Sequence, residues 1–597
     1  MSFNNTLADH LNEMSTLLEL TGANRFKIAA FSKAARAAEN QTADLSALDT
    51  KDLLAIDGIG KGVAAFIQEL AASGEVADLV GLRQEVPAGL ADVLDIQGLG
   101  PKTVRQLWQD LGVTDRESLA KVIDGDEILA LPRMGQKTID NIKRALTFAS
   151  KSSHRLPLGV AARIADKLLE RMLATPGVKQ AELAGSFRRG RDTIGDIDLL
   201  VVADDAELAR KAFCEADDVI DVIARGDTKC SIRIEVPTKK GRWKTEPGKK
   251  ATIGADLRIM PAESFGAALM YFTGSKEHNI RLRERALKKG LTLNEYGLFP
   301  DDKEAEGSPQ SRGIKPVASK TEKQVYAKLG LPVIPPEVRE DLGEIDLEDA
   351  PKLVELKDIK AELHAHTTAS DGHMSLHELV KCAIDRGFHT IAVTDHSRSS
   401  VQAGGLSVER LREQRKEIDD AQGEFGSPVT VLAGSEVDIL ADGSLDYDDD
   451  MLAELDIVVA SPHAALTQDP KTATKRLLRA IEHPLVHIIG HPTGRLINRR
   501  PGLEPAMDEL IAAAVEHDTA LEINSHWMRL DLRDVHVRAA VNAGCKIAID
   551  CDDHMAEDFD NLRFGISTAR RGMLTPELCV NAWSKTRLHK WLKGKRP

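Results

Sequence analysis

Between residues 359 and 554 seven short apolar, β-rich runs recur: IKAELHAH, TIAVTDHS, VTVLAGSEVDI, DIVVASPH, VHIIGHP, ALEINS and KIAIDCDDH. Most of the segments between them, such as REQRKEIDDAQ and ELIAAAVEH, carry helical periodicity. Repeated strand–helix units suggest a parallel barrel, which keeps its chemistry at the strand C-termini. Six of the seven runs end in, or lead directly into, a candidate ligand. The candidates are His364, His366, Asp371, His396, Glu436, His463, His491, Asp552 and His554.

Nine ionisable groups at one barrel mouth need cations to neutralise and order them. They exceed what one transition ion accepts, so two to three metals are expected. Mixed imidazole and carboxylate donors suit Mn²⁺, Zn²⁺ or Fe²⁺ better than Ca²⁺. Such a cluster makes hydroxide at neutral pH and neutralises a phosphate under attack, which is phosphoester hydrolysis. Among the remaining histidines, His373, His377, His487, His526 and His536 read as structural. Arg495, Arg499 and Arg500 in GRLINRR could contact a DNA backbone, and DYDDD (446–450) reads as a solvated loop.

Composition matters where it is uneven. The 597 residues sum to −14, which ordinarily counts against nucleic-acid binding. Residues 1–150 hold 15 basic against 21 acidic side chains, residues 151–340 hold 34 against 28, and residues 341–597 hold 30 against 44. Of the 18 histidines, 15 follow residue 341. A basic middle joined to an acidic, histidine-rich end fits a phosphate-binding module joined to a metal-binding one. No apolar run reaches a membrane span, the N-terminus shows no signal peptide, and six cysteines without a CxxC pair fit neither a disulfide scaffold nor a zinc ribbon. A cytoplasmic, nucleoid-associated monomer is expected.

Residues 1–150 are mostly helical in pattern, with three related segments: IDGIGKGV from Ile56, IQGLGPKTV from Ile96 and LPRMGQKTI from Leu131. Each places a glycine turn around an apolar anchor and then opens a helix. Backbone N–H groups at such a turn can bind phosphate oxygens without reading bases. Gly58, Gly60, Gly98 and Gly100 are the expected DNA-contacting glycines; Arg133 replaces the first glycine of the third copy, which puts that copy's role in doubt. The pattern resembles the helix-hairpin-helix motif of DNA repair proteins.

From Ala181 the chain reads AELAGSFRRGRDTIGDIDLLVV. On a strand, Asp196 and Asp198 point to one face while Ile197 packs on the other. Two like charges there are costly unless cations bridge them, and two divalent metals are the usual solution for phosphoryl transfer. Asp256, in GADLRIM, could complete the site, and Ser186 and Arg189 are placed to bind a triphosphate. The basic segment PTKKGRWKTEPGKK (237–250) is either a strand-binding hairpin or a solvated turn. A proline-rich, then acidic stretch at 331–358 reads as the main linker.

GSFRRG…GDIDLLV, followed by YFTGSKEHNIRLR (271–283) and GLTLNEYGLF (290–299), resembles the palm of family X DNA polymerases. The C-terminal set HAH…SDG…TDH…SE…PH…GHP…DDH resembles the PHP (polymerase and histidinol phosphatase) domain, with all nine ligand positions intact. The resemblance implies a multidomain α/β protein: helical helix-hairpin-helix regions at 1–80 and 81–150, an α+β nucleotidyltransferase palm and thumb at 151–330, a linker at 331–358 and a distorted (β/α)7 PHP barrel at 359–597.

It further implies that Asp196, Asp198 and Asp256 hold two Mg²⁺ or Mn²⁺ ions, with Asp256 helping to activate the primer 3′-hydroxyl. Gly185, Ser186, Arg189 and Gly195 would meet the nucleotide, and Tyr271, Phe272 and Gly274 would line the sugar pocket. Tyr271 could equally be a packed palm residue. Asn279 would meet the base edge and Arg283 the template. In relatives with 5′-deoxyribose-phosphate lyase activity a Schiff-base lysine follows the first hairpin. Here Phe66 occupies that position and Lys61 belongs to the turn, so lyase chemistry of that type is not expected.

The expected activity is gap-filling, template-directed DNA synthesis from dNTPs on gapped or primer–template DNA, with a 3′→5′ exonuclease that could also clean 3′ ends or cleave abasic sites. The alternatives are a DNA-end-processing phosphoesterase whose palm is only a scaffold, and a small-molecule phosphatase with incidental DNA-binding modules.

Overall fold

Apolar residues spaced three and four apart, as in Leu7, Leu11, Met14 and Leu18, bury one face of the first helix. The computed structural model describes residues 3–39, 45–56, 58–94, 96, 99–125, 128, 139, 142–143, 155–236, 252–302, 307–426 and 428–595. They fall into two units, residues 1–153 with 235–252, and residues 154–234 with 253–597.

In the first unit α1 (Phe3–Thr21) and α2 (Arg25–Glu39) share an apolar core with later helices. Among these are α3 (Lys61–Ser73) and α4 (Pro101–Leu111), each preceded by one of the glycine turns. Ile59 and Leu99 are the buried anchors of those turns. Gly98, Arg133 and the 237–250 segment lie outside the described residues.

The second unit begins with a five-stranded sheet: β1 (Val178–Leu183), β2 (Asp196–Ala203), β3 (Val219–Arg225), β4 (Lys229–Glu235) and β5 (Thr252–Ile259), in the order β1-β2-β5-β4-β3. β2 and β5 run parallel, in a register that sets Asp198 directly beside Asp256. A single helical turn, α5 (Gly185–Arg188), leads from β1 toward β2. Beyond the sheet, α6 (Phe265–Thr273), α7 (Lys276–Lys288), a short hairpin (Leu291–Asn294 with Gly297–Pro300) and α8 (Glu322–Leu329) follow.

The stretch 331–358 is packed. Leu331, Ile334, Val338, Ile345 and Leu353 join the core of α7 and α8. Arg339, fully buried, donates to Glu322 at 2.7 Å and to the Ile334 carbonyl at 2.9 Å. Alternating prolines and apolar residues there pack as well as connect.

The seven apolar runs form seven parallel strands in sequence order: β6 (Ala361–Glu362), β7 (Thr390–Val393), β8 (Thr430–Asp438), β9 (Ile457–Ser461), β10 (Ile488–Ile489), β11 (Ala520–Asn524) and β12 (Ile547–Asp550). A parallel bridge between Ala365 and Asp553 ties the first strand to the last, so the sheet is nearly closed into a barrel. The final helices include α9 (Leu562–Arg571), which packs outside β12.

Two segments expected at the surface are partly buried. Arg495 is buried and spends its guanidinium on the carbonyls of Arg529 and Leu530 and on Asp192. Arg500 donates to the Gly494 carbonyl. Arg495 is not placed to reach DNA, because its guanidinium is spent on another loop and on Asp192, whereas Arg500 is half-buried and bonds within its own loop. The DYDDD stretch is not a solvated loop: Asp446 accepts from Arg398 and the Ser399 amide, Tyr447 is buried, and Asp448 caps the helix Asp449–Glu454. Only Asp448, Asp449 and Asp450 face solvent.

Candidate active sites

On β2, Ile197 packs inward while Asp196 and Asp198 share the opposite face. The parallel register with β5 adds Asp256, whose carboxylate accepts from Ser231 Oγ at 2.6 Å and pairs with Lys229 Nζ at 2.8 Å. Burial, then Asp196 and Asp256 beside it, push the Asp198 carboxyl up to about 7. That is the electrostatic signature of a carboxylate set short of positive charge, and it fits divalent cations.

A cavity of about 650 Å³ opens in front of these strands. Gly185, Ser186, Arg189, Asp196, Asp198, Tyr271, Phe272, Gly274, Asn279 and Arg283 all line it; Gly195 and Asp256 do not. Gly185 has φ +59°, and a Cβ there would lie 2.0 Å from Asp198 Oδ2, so the turn can approach the carboxylate only with glycine. The buried Ser186 Oγ and Asn279 Oδ1 have no hydrogen-bond partner among the described residues, while Asn279 Nδ2 donates to the Tyr271 carbonyl at 2.7 Å. The Tyr271 and Phe272 rings meet edge to face at 5.3 Å, and Arg258 lies over the Phe272 ring. Glu340, which no sequence pattern singled out, also lines this cavity.

The barrel site is a cage. His366, Asp371, His396 and His554 form one group, His364, His366 and Asp552 a second, and His396, Glu436 and His463 a third; within each, donor atoms lie within 4.8 Å of one another. The ninth residue, His491, reaches Glu436 Oε1 at 3.0 Å. Glu436, fully buried, is the hub, with His364 at 3.3 Å, His396 at 2.9 Å and His463 at 3.2 Å. Yet His364 Nε2, both nitrogens of His366, His396 Nδ1, His491 Nδ1 and Glu436 Oε2 are buried without an aligned hydrogen bond. Donor atoms crowded together but not bonded to one another are arranged for cations. Burial and the neighbouring imidazoles push His366 down to about 4, so it presents neutral nitrogen.

Supporting residues that the sequence reading missed complete this cage. Glu522 Oε1 lies 2.6 Å from His364 Nδ1, and its other oxygen accepts from the His491 amide. Asp438 holds His463 Nδ1. Glu522 stands alone in the middle of β11, in ALEIN, and Asp438 closes β8 two residues after Glu436, in SEVDI. A carboxylate inside a buried strand was the available signal. The sixth run, ALEINS, which supplied no candidate ligand, thus supplies an orienting residue. The cavity at the cage mouth, about 650 Å³, is lined by Arg529 and the Ser399–Ala403 loop as well as by the cage.

In the first unit, Gly58 has φ +95°, and Gly60 and Gly100 are the N-caps of α3 and α4, with no side chain capping either helix. A Cβ at Gly60 or Gly100 would meet nothing within 4 Å. Those helix starts are open to an anion. Phe66 is a core residue, edge to face with Phe31 at 5.6 Å.

Family models match four stretches: a helix-hairpin-helix domain at residues 2–76, a SAM-like helix-hairpin-helix tandem at 90–147, the DNA polymerase beta thumb at 268–340, and the PHP domain at 362–526. The chain is 39% identical over 584 residues to the DNA polymerase/3′-5′ exonuclease PolX of Bacillus subtilis (strain 168), covering 98% of each. It is 27% identical over 299 residues to DNA polymerase lambda of Arabidopsis thaliana, covering 48% of this chain and 53% of the relative. DNA polymerase lambda of Rattus norvegicus is also 27% identical, over 303 residues, covering 49% of this chain and 48% of the relative. Asp552 and His554 lie beyond the matched PHP stretch, and the fold alone brings them to the cage.

Proposed function

Because the chain belongs to the family X DNA polymerases that carry a C-terminal PHP domain, the family of Bacillus subtilis PolX, we propose that it fills gaps in DNA during repair and degrades 3′ ends with its barrel. The observation that carries this reading is the register of β2 and β5, which gathers three carboxylates, two of them lining a cavity that also holds Ser186 and Arg189. A palm kept only as scaffold would gain nothing from those like charges.

In this reading Asp196, Asp198 and Asp256 hold two Mg²⁺ or Mn²⁺ ions, which when bound neutralise phosphate oxygens and favour an ionised primer 3′-hydroxyl. Asp256 stands beside that hydroxyl. Ser186 donates its free hydroxyl to the triphosphate and Arg189 offers a guanidinium fork. Tyr271, Phe272 and Gly274 would wall the sugar, and the tyrosine-phenylalanine pair gives a physical reason to reject a ribose 2′-hydroxyl. Asn279, anchored through Nδ2, turns its free oxygen toward the base edge, and Arg283 faces the template.

The glycine turns, Gly58 with Gly60 and Gly98 with Gly100, grip the DNA backbone through main-chain amides. In the barrel, His364, His366, Asp371, His396, Glu436, His463, His491, Asp552 and His554 hold two to three Mn²⁺, Zn²⁺ or Fe²⁺ ions. Glu522 and Asp438 fix the ring orientations of His364 and His463. The substrates are gapped DNA and dNTPs, and the protein acts as a monomer at the nucleoid.

The test uses an end-labelled, gapped primer–template. Asp198→Ala should abolish extension and leave degradation; His364→Ala should do the reverse. Degradation that survives His364→Ala would overturn the assignment of the exonuclease to the barrel.

A further inference from the structure

The palm turn carrying Ser186 and Arg189 is gripped from the barrel side. α9 runs so close to it that a Cβ on Gly190 would lie 2.8 Å from Ser567 Cβ. Arg571, the last residue of α9, has 5% of its side chain exposed. It donates to the Arg189 carbonyl at 2.8 Å and to Glu340 Oε1 at 2.9 Å, while Asp534 accepts from its Nε at 2.8 Å. The same Glu340 oxygen accepts from Arg189 Nε at 3.1 Å. One carboxylate oxygen, shared by two guanidiniums from different domains, therefore stands in the cavity that holds the palm carboxylates.

We propose that Glu340 and Arg571 are positioning residues through which the barrel domain sets the palm's affinity for the triphosphate of the incoming nucleotide. This rests on the reading that Arg189 meets that triphosphate. Glu340 is the resident counter-anion of Arg189, and it must yield when phosphate arrives. A carboxylate shared by two guanidiniums loses less on leaving one of them, because the other still pairs with it. Arg571 thus makes Arg189 available. Without the charge of Arg571, Glu340 would be left to Arg189 at 3.1 Å, with only the more distant Arg191 at 3.8 Å beside it, and phosphate would have to break a tighter ion pair. Without the charge of Glu340, Arg189 would stand unpaired and the cavity would repel phosphate less.

The two substitutions are therefore expected to act in opposite directions. In single-nucleotide gap filling with Mg²⁺ and varied dNTP, Glu340→Gln should lower the KM for dNTP about fivefold, and Arg571→Met should raise it about fivefold. In both, kcat should change little and the 3′→5′ exonuclease of the same preparation should be unchanged. Arg571→Lys, which keeps the charge, should recover much of the loss. The double variant should match Glu340→Gln, because Arg571 acts through Glu340.

A packing role alone would move both single variants the same way and lower exonuclease activity with them. If Arg571→Met fails to fold, Arg571→Lys and the double variant, set against Glu340→Gln, still decide. A higher KM in Glu340→Gln, or a double variant that departs from it, overturns the relay. Arg189→Ala separates the premises: if it leaves KM for dNTP unchanged, the triphosphate reading is wrong; if it raises KM while the other variants do nothing, only the relay fails.

Discussion

The palm cavity and the barrel cavity each enclose about 650 Å³, and each gathers carboxylates, but their support differs. In the palm, three aspartates meet one lysine and one serine hydroxyl, and the carboxyl of Asp198 is pushed up to about 7 by burial and its neighbours. In the barrel, the carboxylates stand among six imidazoles, with Glu436 as hub and Glu522 and Asp438 behind. The palm leaves charge unsatisfied, which in the proposed reading metal and triphosphate would complete. The barrel is a cage whose donors are already arranged. A site completed by its substrate should be sensitive to small displacements, and a cage with many donors should degrade by steps.

The sharpest way to break that comparison is Gly185→Ala. Its methyl would strike the Asp198 carboxylate in a backbone conformation that alanine disfavours. Extension should fall by about a thousandfold, roughly 4 kcal/mol of transition-state stabilisation, with degradation intact. Gap-filling assays on the variant measure it; retained extension would mean the palm tolerates displacement after all.

Next comes Glu322, the one carboxylate that bridges Arg188 of the palm turn and the buried Arg339. Burial alone would raise its carboxyl, but the bonds from Arg188 and Arg339 overcome this and hold it down at about 2. Glu322→Gln should cost about 3 kcal/mol at neutral pH, since it strands buried positive charge. The folded value lies below the ordinary 4.5, so the stability it supplies is fully present above pH 4.5 and fades as pH falls toward 2. Thermal melts of both proteins should therefore converge across that window; a constant gap would refute the ion-pair account.

The smallest effect is expected in the cage. Asp438→Asn weakens the support of His463 and leaves every proposed metal-holding residue in place. It should weaken apparent Mn²⁺ affinity of the exonuclease by about 10- to 100-fold, with the rate restored at high Mn²⁺. An unchanged Mn²⁺ dependence would show that the cage does not rely on its outer carboxylates.

Much of this was legible in the residues. The barrel strands announced themselves because each is a short apolar run whose period breaks at a polar end, and His364, His396, His463 and His491 sit at those ends. Asp196 and Asp198 were legible from alternation around Ile197. What escaped notice were buried carboxylates that support others: Glu522 in the middle of β11, Asp438 at the last position of β8 and Asp395 just beyond β7, the last of which accepts from Thr367 and Gln414. Arg495 and Tyr447 were misplaced for a related reason. Tyr447 stands among aspartates and Arg495 in an arginine-containing turn, but their contacts, to Leu406 and Leu530, come from other loops.

By itself the sequence determined the identity and order of the seven strands, the donors at their ends, the like-charged pair on β2 and the glycines of the turns. These follow from local periodicity and from side-chain chemistry, which a chain carries before it folds. Only the tertiary structure decided which carboxylate neighbours which. The register that sets Asp198 beside Asp256, the convergence of donors on Glu436 and the contact of Arg571 with Arg189 all join residues distant in sequence. Such pairings are fixed by strand register and by packing between domains, and no local pattern encodes them.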